Sequence, residues 1–485
     1  MSWLPEAIRS AFLEPDRVEA ELRRAANAFA ALFGLEADGQ VRKLVAGCSQ
    51  TADPDLAVRH LAELVQSAAE GDGDALRACP GGSIVDVLPS ILQLFGASEV
   101  LSRRLIVHPA MLAELARGSL RWGAGERGVA DTPIALPVAE LASDLAQLRR
   151  VRGAVEAAVA VADLAARLSV PEVGRRLFEL ARQTVGAVSR RATTEAMEAH
   201  EEAPDPVILG LGKCGEGCIP YLSDLDVVFL HGGAGVNHAS AMTTWARACI
   251  RHLATMTRDG SLYEVDARLR PGGRSGELVQ SAEQLDRYFS HQARPWEYLA
   301  FAAARILAGR EAPARTLMEL LAGHLRRMDP APVRDVVWDM KQRMEEELMV
   351  RRPNELDLKY EPGGRVELDF IFRYARLLRA RTARGSLPDI DEPSLTELTD
   401  LLRLPMAALE RLGRARELLR EVEYRWRLCA GTPRTVLKFR SRSMLVVVKS
   451  LGKESRERLV GELAAAREVV HGVFTHVFRR RPNVG

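Results

Sequence analysis

Two aspartates separated by one residue are the side chains of this sequence best placed to do chemistry. Asp224 and Asp226 lie in the segment SDLDVVFLH (223–231), whose β-branched and aromatic residues predict a strand. Side chains alternate along a strand, so both carboxylates project from one face while Leu225 and Val227 point to the other. Neighbouring carboxylates repel each other unless a cation lies between them. A divalent cation that prefers oxygen ligands, such as Mg²⁺, would relieve that repulsion.

A third carboxylate, Asp266, follows in SLYEVDARLR (261–270), which also has the composition of a strand. Alternation over this segment puts Glu264, Asp266, Arg268 and Arg270 on one face. If the two strands are neighbours, three acids converge on one spot with arginines nearby. That arrangement suits two-metal phosphoryl or nucleotidyl transfer, in which the metals activate the attacking oxygen and stabilise charge on the phosphate and the leaving group.

A glycine-rich segment, GLGKCGEG (210–217), precedes the acid pair. Glycines let backbone amides approach phosphate oxygens, and Lys213 could add a point charge to a phosphate. The segment is not a P-loop because it has no Gly-Lys-Ser/Thr. It fits G-x-G-x-x-G, but Gly217 and Pro220 argue against the helix that a dinucleotide-binding fold needs there. Cys214 and Cys218 lack a second pair of zinc ligands nearby in sequence.

The elements that must position these residues form a small α/β unit. Strands are predicted at 207–212, 223–231 and 261–270, with a helix over 239–258 between the last two. Loops or boundaries rich in Gly, Asp and Pro are predicted at 124–137 and 382–393.

Elsewhere the apolar residues recur with a helical period, which predicts core-facing stripes on helices. These stripes comprise Leu148, Val151, Val155, Ala158, Ala162 and Ala165, then Val337, Met340, Met344 and Leu348, and finally Leu412, Ala415, Leu419, Val422, Trp426 and Cys429. We therefore predict a mostly helical α+β protein. Its parts would be a helical N-terminal region (1–200), an α/β catalytic core (201–310) and a C-terminal helical bundle (311–485).

The composition sets outer limits on function. The chain has 485 residues with 47% hydrophobic and 27% charged residues, which is ordinary for a globular protein. A formal charge of +2 gives no argument for nucleic acid as a partner, and no apolar run is long enough to predict a membrane span. The six scattered cysteines show no disulfide framework, and we see no signal peptide, so we expect a cytoplasmic protein.

The sequence resembles the glutamine synthetase adenylyltransferase/adenylyl-removing family of the nucleotidyltransferase superfamily. Four blocks carry the resemblance in the family's order: GLGKCG…SDLDVVFL (210–230), VDARLRPGGRSGELVQS (265–281), RPWEYLAFAAARILAG (294–309) and DLKYEPGGRVELDF (357–370). A looser likeness extends from about residue 95 to about residue 430.

The resemblance implies an activity and its requirements. Family members transfer AMP from ATP to a tyrosine of glutamine synthetase, or remove it by phosphorolysis. The matching acids imply that Asp224, Asp226 and Asp266 hold Mg²⁺, as two ions. ATP, or ADP and phosphate, would be the small substrates, and a PII-type signalling protein is a candidate partner besides glutamine synthetase. The residues implied to bind nucleotide or phosphate are Gly212, Lys213, Ser223, Arg270 and Arg274.

The sequence departs from the family pattern in three places. It carries one acid constellation where family enzymes usually carry two catalytic halves. Its SGELV (275–279) resembles the removing half, whereas 357–370 resembles the transferring half. The loop before the acids reads CIPYLSD, so Cys218 and Pro220 replace two polar positions. Two alternatives therefore stay open: a nucleotidyltransferase with another protein or small-molecule acceptor, and a catalytically weak regulatory paralogue.

Overall fold

The computed structural model describes residues 9–33, 37–70, 81–109, 111–112, 138–200, 205–232, 236–350, 352–382 and 394–479. Helices dominate these ranges, and the strands form one small mixed sheet and one two-stranded sheet, which confirms the predicted mostly helical α+β class. In the described ranges, no helix has both the length and the apolar character to cross a membrane.

The described chain up to residue 200 is helical. Its elements are α1 (Pro15–Phe33), α2 (Ala37–Ser49), α3 (Pro54–Glu70), α4 (Gly81–Phe95), α5 (Glu99–Val107), α6 (Val138–Leu141), α7 (Leu145–Leu164) and α8 (Val170–Ala199). Side-chain caps fix where the longer helices begin, because they satisfy free backbone N–H groups of the first turn. Asp144 accepts from the backbone N–H groups of Ala146 and Gln147 at the start of α7, and Ser169 and Glu172 form a capping box at the start of α8.

The mixed sheet and its helices follow. Their elements are β1 (Pro206–Gly210), α9 (Gly212–Gly215), β2 (Leu225–His231), α10 (Val236–Ala254), β3 (Val265–Asp266), β4 (Val279–Ser281), α11 (Ala282–His291), α12 (Pro295–Phe301) and β5 (Arg305–Gly309). Strand β1 pairs antiparallel with both β2 and β5, while β3 and β4 pair parallel with β2. The carboxylate-bearing end of β2 therefore lies beside β3.

Helices again dominate the described residues after 310. Their elements are α13 (Glu311–Arg327), α14 (Ala331–Leu348), β6 (Glu355–Asp357), α15 (Arg365–Thr382), α16 (Leu395–Leu402), α17 (Met406–Ala430), β7 (Val436–Lys438), α18 (Arg442–Ser450) and α19 (Arg456–Phe478). Strands β6 and β7 form an antiparallel pair that the sequence did not predict. Three-residue strands give too short an alternation to stand out from their surroundings.

The mixed sheet lies between two hydrophobic cores. Ile208 and Phe229 face a core shared with the N-terminal helices and α10, where Phe229 packs edge-on against Trp245 with ring centroids 5.4 Å apart. Leu209 and Val228 face a second core built with the C-terminal helices. Because both faces are covered, the inner strands are largely apolar, and their polar side chains, Asp226 and His231, lie at or next to the ends of β2.

Several predicted details are wrong. The first strand ends at Gly210 and the third is only Val265–Asp266, because the Arg-Pro-Gly-Gly sequence after it forms tight turns, including a 3₁₀ turn at Gly273–Ser275. The predicted alternation to Arg268 and Arg270 therefore fails. The loop predicted at 124–137 lies outside the described residues, and so does that at 382–393 except for Thr382, the last residue of α15.

Two of the predicted stripes are incomplete. The stripe of α14 fails at Leu348, which is 48% exposed, and that of α7 fails at Ala165, which is exposed just beyond the helix end. Helix α7 is also buried outside its predicted apolar stripe, where Glu156 pairs with Arg152 at 3.2 Å and with Arg104. The stripe of α17 is confirmed, since its members from Leu412 to Trp426 are buried.

Candidate active site

The acids lie where β2 and β3 run side by side. In the parallel register of these strands, Asp226 is opposite Asp266 and Leu225 is opposite Val265. The backbone N–H of Leu225 donates to the Glu264 carbonyl at 2.9 Å. Asp224 immediately precedes β2 and is exposed, whereas Asp226 is half-buried. The structure therefore brings the predicted third acid beside the predicted pair.

The Asp226 carboxyl group is in an electrostatically unfavourable position. Burial, followed by the negative charges of Asp224 and Asp266, raises the pKa of Asp226 to about 6. The positive charges of Arg373 and Lys359 act in the opposite direction without overcoming this effect. An extra positive charge at this point would stabilise the ionised form, which is the condition expected of a cation-binding carboxylate.

Asp266 differs because it already has a partner. The Arg268 side chain donates from Nε to both carboxylate oxygens of Asp266 at 2.9 and 2.8 Å, and its Nη2 also donates to Oδ2. These bonds hold the pKa of the Asp266 carboxyl below its usual range. Within the described ranges, no three Asp, Glu, His or Cys side chains are gathered as a metal-binding cluster. The structure pairs the backbones of Asp226 and Asp266, but it directs Asp266 towards Arg268.

The glycine-rich segment forms a bend that contacts Asp226. Gly212 opens the short helix α9 with φ of +54°, a conformation that residues with a Cβ rarely adopt. A Cβ at this position would overlap the Asp226 carboxylate and lie 3.0 Å from its Cγ. The Leu211 N–H donates to the Asp226 carbonyl at 2.9 Å. Glycine at 212 therefore allows the bend to approach the acid.

Lys213 points to the other side of this bend. Its Nζ donates to Oε1 of the fully buried Glu423 on α17 at 2.5 Å. Glu423 also binds Arg365, and its Oε1 lies 3.1 Å from Nη2 of Arg427. Burial and then the charges of Arg365 and Arg427 lower the pKa of Lys213 to about 7. The lysine implied to bind phosphate is thus engaged by a carboxylate from a distant part of the chain.

A second ion pair holds the far end of the bend. Glu216 lies 3.1 Å from Nη2 of Arg373 on α15 and 3.6 Å from Nη2 of Arg420 on α17. Burial alone would raise the pKa of Glu216, but the charges of Arg373 and Arg420 outweigh it and lower that pKa to about 2. Cys218, the substituted loop position, lies with its Sγ 3.3 Å from the Tyr424 hydroxyl. Helices α15 and α17 therefore fix the bend from outside the sheet.

The remaining predicted phosphate-binding residues have different environments. Ser223 is buried, and its hydroxyl donates to the Asp224 carbonyl at 2.9 Å. Arg270 donates to the carbonyls of Ala267, Arg274 and Gly276 at 2.8, 3.1 and 3.1 Å, so its guanidinium holds the turn after β3. Arg274 is exposed on that turn, and its charge reaches Asp266.

The residues that hold the bend were not predicted from the sequence. Glu423, Arg365, Arg373 and Arg420 lie far along the chain from Lys213 and Glu216, so no local pattern could pair them. One signal was available: Glu423 and Arg427 are four apart on a helix whose neighbouring positions form an apolar stripe. Charged residues so close to a buried face require partners of opposite charge.

Two family models match parts of this chain. Residues 88–319 match the family model "Glutamate-ammonia ligase adenylyltransferase", and residues 338–478 match "GlnD PII-uridylyltransferase". Similar proteins include the bifunctional glutamine synthetase adenylyltransferase/adenylyl-removing enzymes of Chromobacterium violaceum and Pseudomonas aeruginosa. The first is 29% identical over 67% of this chain and 35% of the relative; the second is 28% identical over 78% and 41%.

The corresponding enzyme of Stenotrophomonas maltophilia is 30% identical over 80% of this chain and 44% of the relative. The chain thus spans about two fifths of the length of these relatives. The family match covers the sheet that bears the acids, and the likeness to the relatives extends over most of the chain. On these grounds the chain belongs to the glutamine synthetase adenylyltransferase/adenylyl-removing family.

Proposed function

We propose that this chain is a Mg²⁺-dependent nucleotidyltransferase that transfers AMP from ATP to a tyrosine of glutamine synthetase, or removes it by phosphorolysis. The observation that carries the proposal is that Asp226 of β2 lies opposite Asp266 of β3. Asp224 is the residue immediately before β2. The names of the similar proteins support the reaction and its protein substrate. Regulation of nitrogen assimilation would follow from that substrate.

The three carboxylates suit Mg²⁺, a hard cation that prefers oxygen ligands. Asp224 and Asp226 would hold it, and Asp266 would share it once its carboxylate leaves Arg268. That exchange costs little, because Arg268 is 62% exposed and such surface ion pairs contribute about 0–1 kcal/mol. Bound Mg²⁺ would supply an activated attacking oxygen and stabilise charge on the α-phosphate and the leaving group.

The chain itself would orient the nucleotide from the glycine bend and the turn after β3. Gly212 lets the bend lie against Asp226, and the Ser223 hydroxyl donates to the Asp224 carbonyl. Arg274 is exposed beside Asp266 and is free to contact a phosphate, whereas Arg270 would act through the shape of the turn. Lys213 would contact phosphate only after releasing Glu423.

A PII-type signalling protein is the regulatory partner we propose. The support is the match of residues 338–478 to the family model "GlnD PII-uridylyltransferase", whose name includes PII. Those residues include α15 and α17, which hold the glycine bend through Arg373 and Glu423. A partner that bound there could therefore reach the site through these ion pairs. Neither nucleic acid nor a membrane is part of the proposal.

The test is incubation of the chain with unmodified and with adenylylated glutamine synthetase, with Mg²⁺ and either ATP or phosphate. Intact-mass measurement follows gain or loss of AMP on each subunit. Asp226→Asn should reduce the rate at least about a thousandfold, because preorganised electrostatic stabilisation of the transition state is the main catalytic contribution at such sites. The matched control is Glu283→Gln, which removes an exposed acid at the start of α11 and should leave the rate unchanged.

Each outcome has a definite meaning. Equal rates for the native chain and Asp226→Asn would show that the acid site is wrong. Labelled AMP on a different protein or on a small molecule would replace glutamine synthetase as the acceptor. Magnesium-dependent ATP binding that Asp224→Asn abolishes, without transfer to any acceptor, would favour the regulatory paralogue.

A further inference from the structure

A large cleft opens from the acid site towards the C-terminal part of the chain. It has a volume of about 1220 Å³, and Asp224, Ser223 and Glu264 line one side. Strands β6 and β7 and the end of α17 form the opposite side. Small-molecule sites usually measure about 300–1,000 Å³, so this cleft has room for more than one nucleotide.

Positive charge dominates the walls of the cleft. Seven of its lining residues are Arg or Lys and four are Asp or Glu. Three of these cations, Arg104, Arg152 and Arg427, form ion pairs with the buried carboxylates of Glu156 and Glu423. The other four are exposed, and among the described residues no carboxylate lies within ion-pair distance of them; they are Arg352, Lys359, Arg434 and Lys438.

One of these exposed cations lies close to the acids. Lys359 lies two residues beyond the end of β6 and lines the same cleft as Asp224. The neighbouring Asp357 carboxylate is buried and accepts from the backbone N–H groups of Lys359 and Tyr360 at 2.9 and 3.2 Å, and it makes no ion pair with the Lys359 side chain. Arg434 and Lys438 continue the positive surface away from the acids along β7.

Exposed apolar side chains lie at the edges of the same cleft. Met256, in the loop after α10, is 74% exposed, and Leu348, at the end of α14, is 48% exposed. The rings of Tyr360 and Trp426 also line the cleft. A polyphosphate would use the cations and leave these apolar groups in water. A polypeptide with acidic and apolar side chains would use both.

We propose that this cleft binds the acceptor polypeptide as an acidic segment, whose tyrosine reaches the acids while its carboxylates contact Lys359, Arg434 and Lys438. The inference rests on the proposed function, since it names the part of the protein substrate that enters. Met256 and Leu348 contact the apolar side chains of that segment. The cleft thereby selects an acceptor by charge before any chemistry occurs.

The experiment uses the double variant Arg434→Glu/Lys438→Glu, which reverses the charge of the distal wall without touching the acids. The matched control is Arg440→Glu, an exposed arginine two positions beyond Lys438 that does not line the cleft. Steady-state kinetics with glutamine synthetase should show KM for the protein substrate raised at least about tenfold in the double variant, with KM for ATP and kcat within about twofold. The control should match the native chain, and thermal melts of all three proteins should coincide.

A binding measurement separates this inference from the proposed function. Fluorescence anisotropy with a labelled random copolymer of glutamate and tyrosine should show salt-sensitive binding to the native chain and to Arg440→Glu. The double variant should bind at least about tenfold more weakly. Equal binding by all three, no binding by the native chain, or a rise in KM for ATP instead of the protein substrate overturns the inference. If the copolymer binds with this pattern but no AMP is transferred to or from glutamine synthetase, the cleft binds acidic polypeptide as inferred and the proposed reaction is wrong.

Discussion

Adjacent residues of the glycine bend contact two charged clusters that are built in opposite ways. Gly212 lies against the acid cluster of Asp224, Asp226 and Asp266. Lys213 lies in the ion network of Glu423, where one fully buried carboxylate meets three cations. In the network, the buried Glu423 carboxylate is surrounded by groups of opposite charge. In the acid cluster, the half-buried Asp226 carboxylate lies near two other negative charges.

This difference separates charges that hold the fold from the charges that we propose bind a metal ion. Buried ions are retained when partners compensate the loss of hydration, as around Glu423. The charges of Arg373 and Lys359 only partly compensate the burial and the like charges around Asp226, so the pKa of its carboxyl group rises to about 6. The fold tolerates this strain because the Glu423 network and the Glu216 pairs hold the bend in place. Substitutions in the two clusters should therefore have opposite effects on stability.

The largest effect is expected in the compensated network. Glu423→Gln would leave Lys213, Arg365 and Arg427 without their shared counter-charge, which should lower the free energy of unfolding by about 3–5 kcal/mol. Urea unfolding at neutral pH measures this loss. Glu417→Gln, on the exposed side of the same helix, should change stability by no more than about 0.5 kcal/mol. Equal stability of the two variants would remove the distinction between the clusters.

The opposite sign is expected for Asp226→Asn. The folded chain binds the Asp226 proton more tightly than the unfolded chain, with a pKa of about 6 against 3.8. The ionised carboxylate therefore destabilises the fold above about pH 6, and this penalty disappears as the pH falls towards 3.8. In metal-free buffer the asparagine variant should be more stable by about 3 kcal/mol at pH 8 and equal to the native chain near pH 4.

Unfolding curves at these two pH values, recorded with a chelator, test this expectation. Adding Mg²⁺ at pH 8 should then stabilise the native chain and leave Asp226→Asn unchanged, since a ligand stabilises only the protein that binds it. If the variant is less stable than the native chain at both pH values, the Asp226 carboxylate stabilises the fold, as Glu423 does, and the contrast between the two clusters is wrong.

The sequence allowed one of the two clusters to be predicted. Asp224 and Asp226 are close along the chain, and the strand pattern of both segments was strong enough to bring Asp266 towards them. The side-chain direction of Asp266 was not predictable, because it depends on the turn that begins at residue 267 and folds Arg268 back. Strand alternation has no bearing on a residue beyond the strand end.

The compensated network depended on contacts that no local pattern encodes. The apolar stripe of α17 gives no sign that Glu423 is buried, because its burial depends on Lys213 and Arg365, which come from distant parts of the chain and pack against it. The same limit explains Glu156 on α7, which a helical period places on the polar side although Arg152 and Arg104 bury it. Periodicity predicts which face is apolar, and it fails where charged faces are buried in pairs.

A smaller effect is expected at the residue that separates the clusters. Gly212→Ala places a Cβ at φ of +54°, which costs about 1–2 kcal/mol, and that Cβ also displaces the Asp226 carboxylate. Unfolding should show this loss, together with reduced Mg²⁺-dependent activity. Gly461→Ala, in α19 with open space around it, should instead gain up to about 1 kcal/mol. If Gly212→Ala left both the free energy of unfolding and the activity unchanged, the bend and Asp226 would not be in close contact.

The smallest effect concerns Arg268, whose guanidinium forms an ion pair with Asp266 in the acid cluster. Its pair with Asp266 is exposed and worth about 0.2–1 kcal/mol, so Arg268→Ala should barely change the free energy of unfolding. In this variant Asp266 does not have to leave Arg268 before it binds Mg²⁺, so binding no longer includes the cost of breaking that ion pair. The affinity for Mg²⁺ should therefore rise by up to about fivefold in calorimetric titrations without nucleotide. Arg258→Ala, an exposed arginine in the loop after α10, is the matched control and should leave that affinity unchanged. A loss of Mg²⁺ affinity in Arg268→Ala would show that Arg268 orients Asp266 towards the metal, and the acid cluster would then be as preorganised as the network around Glu423.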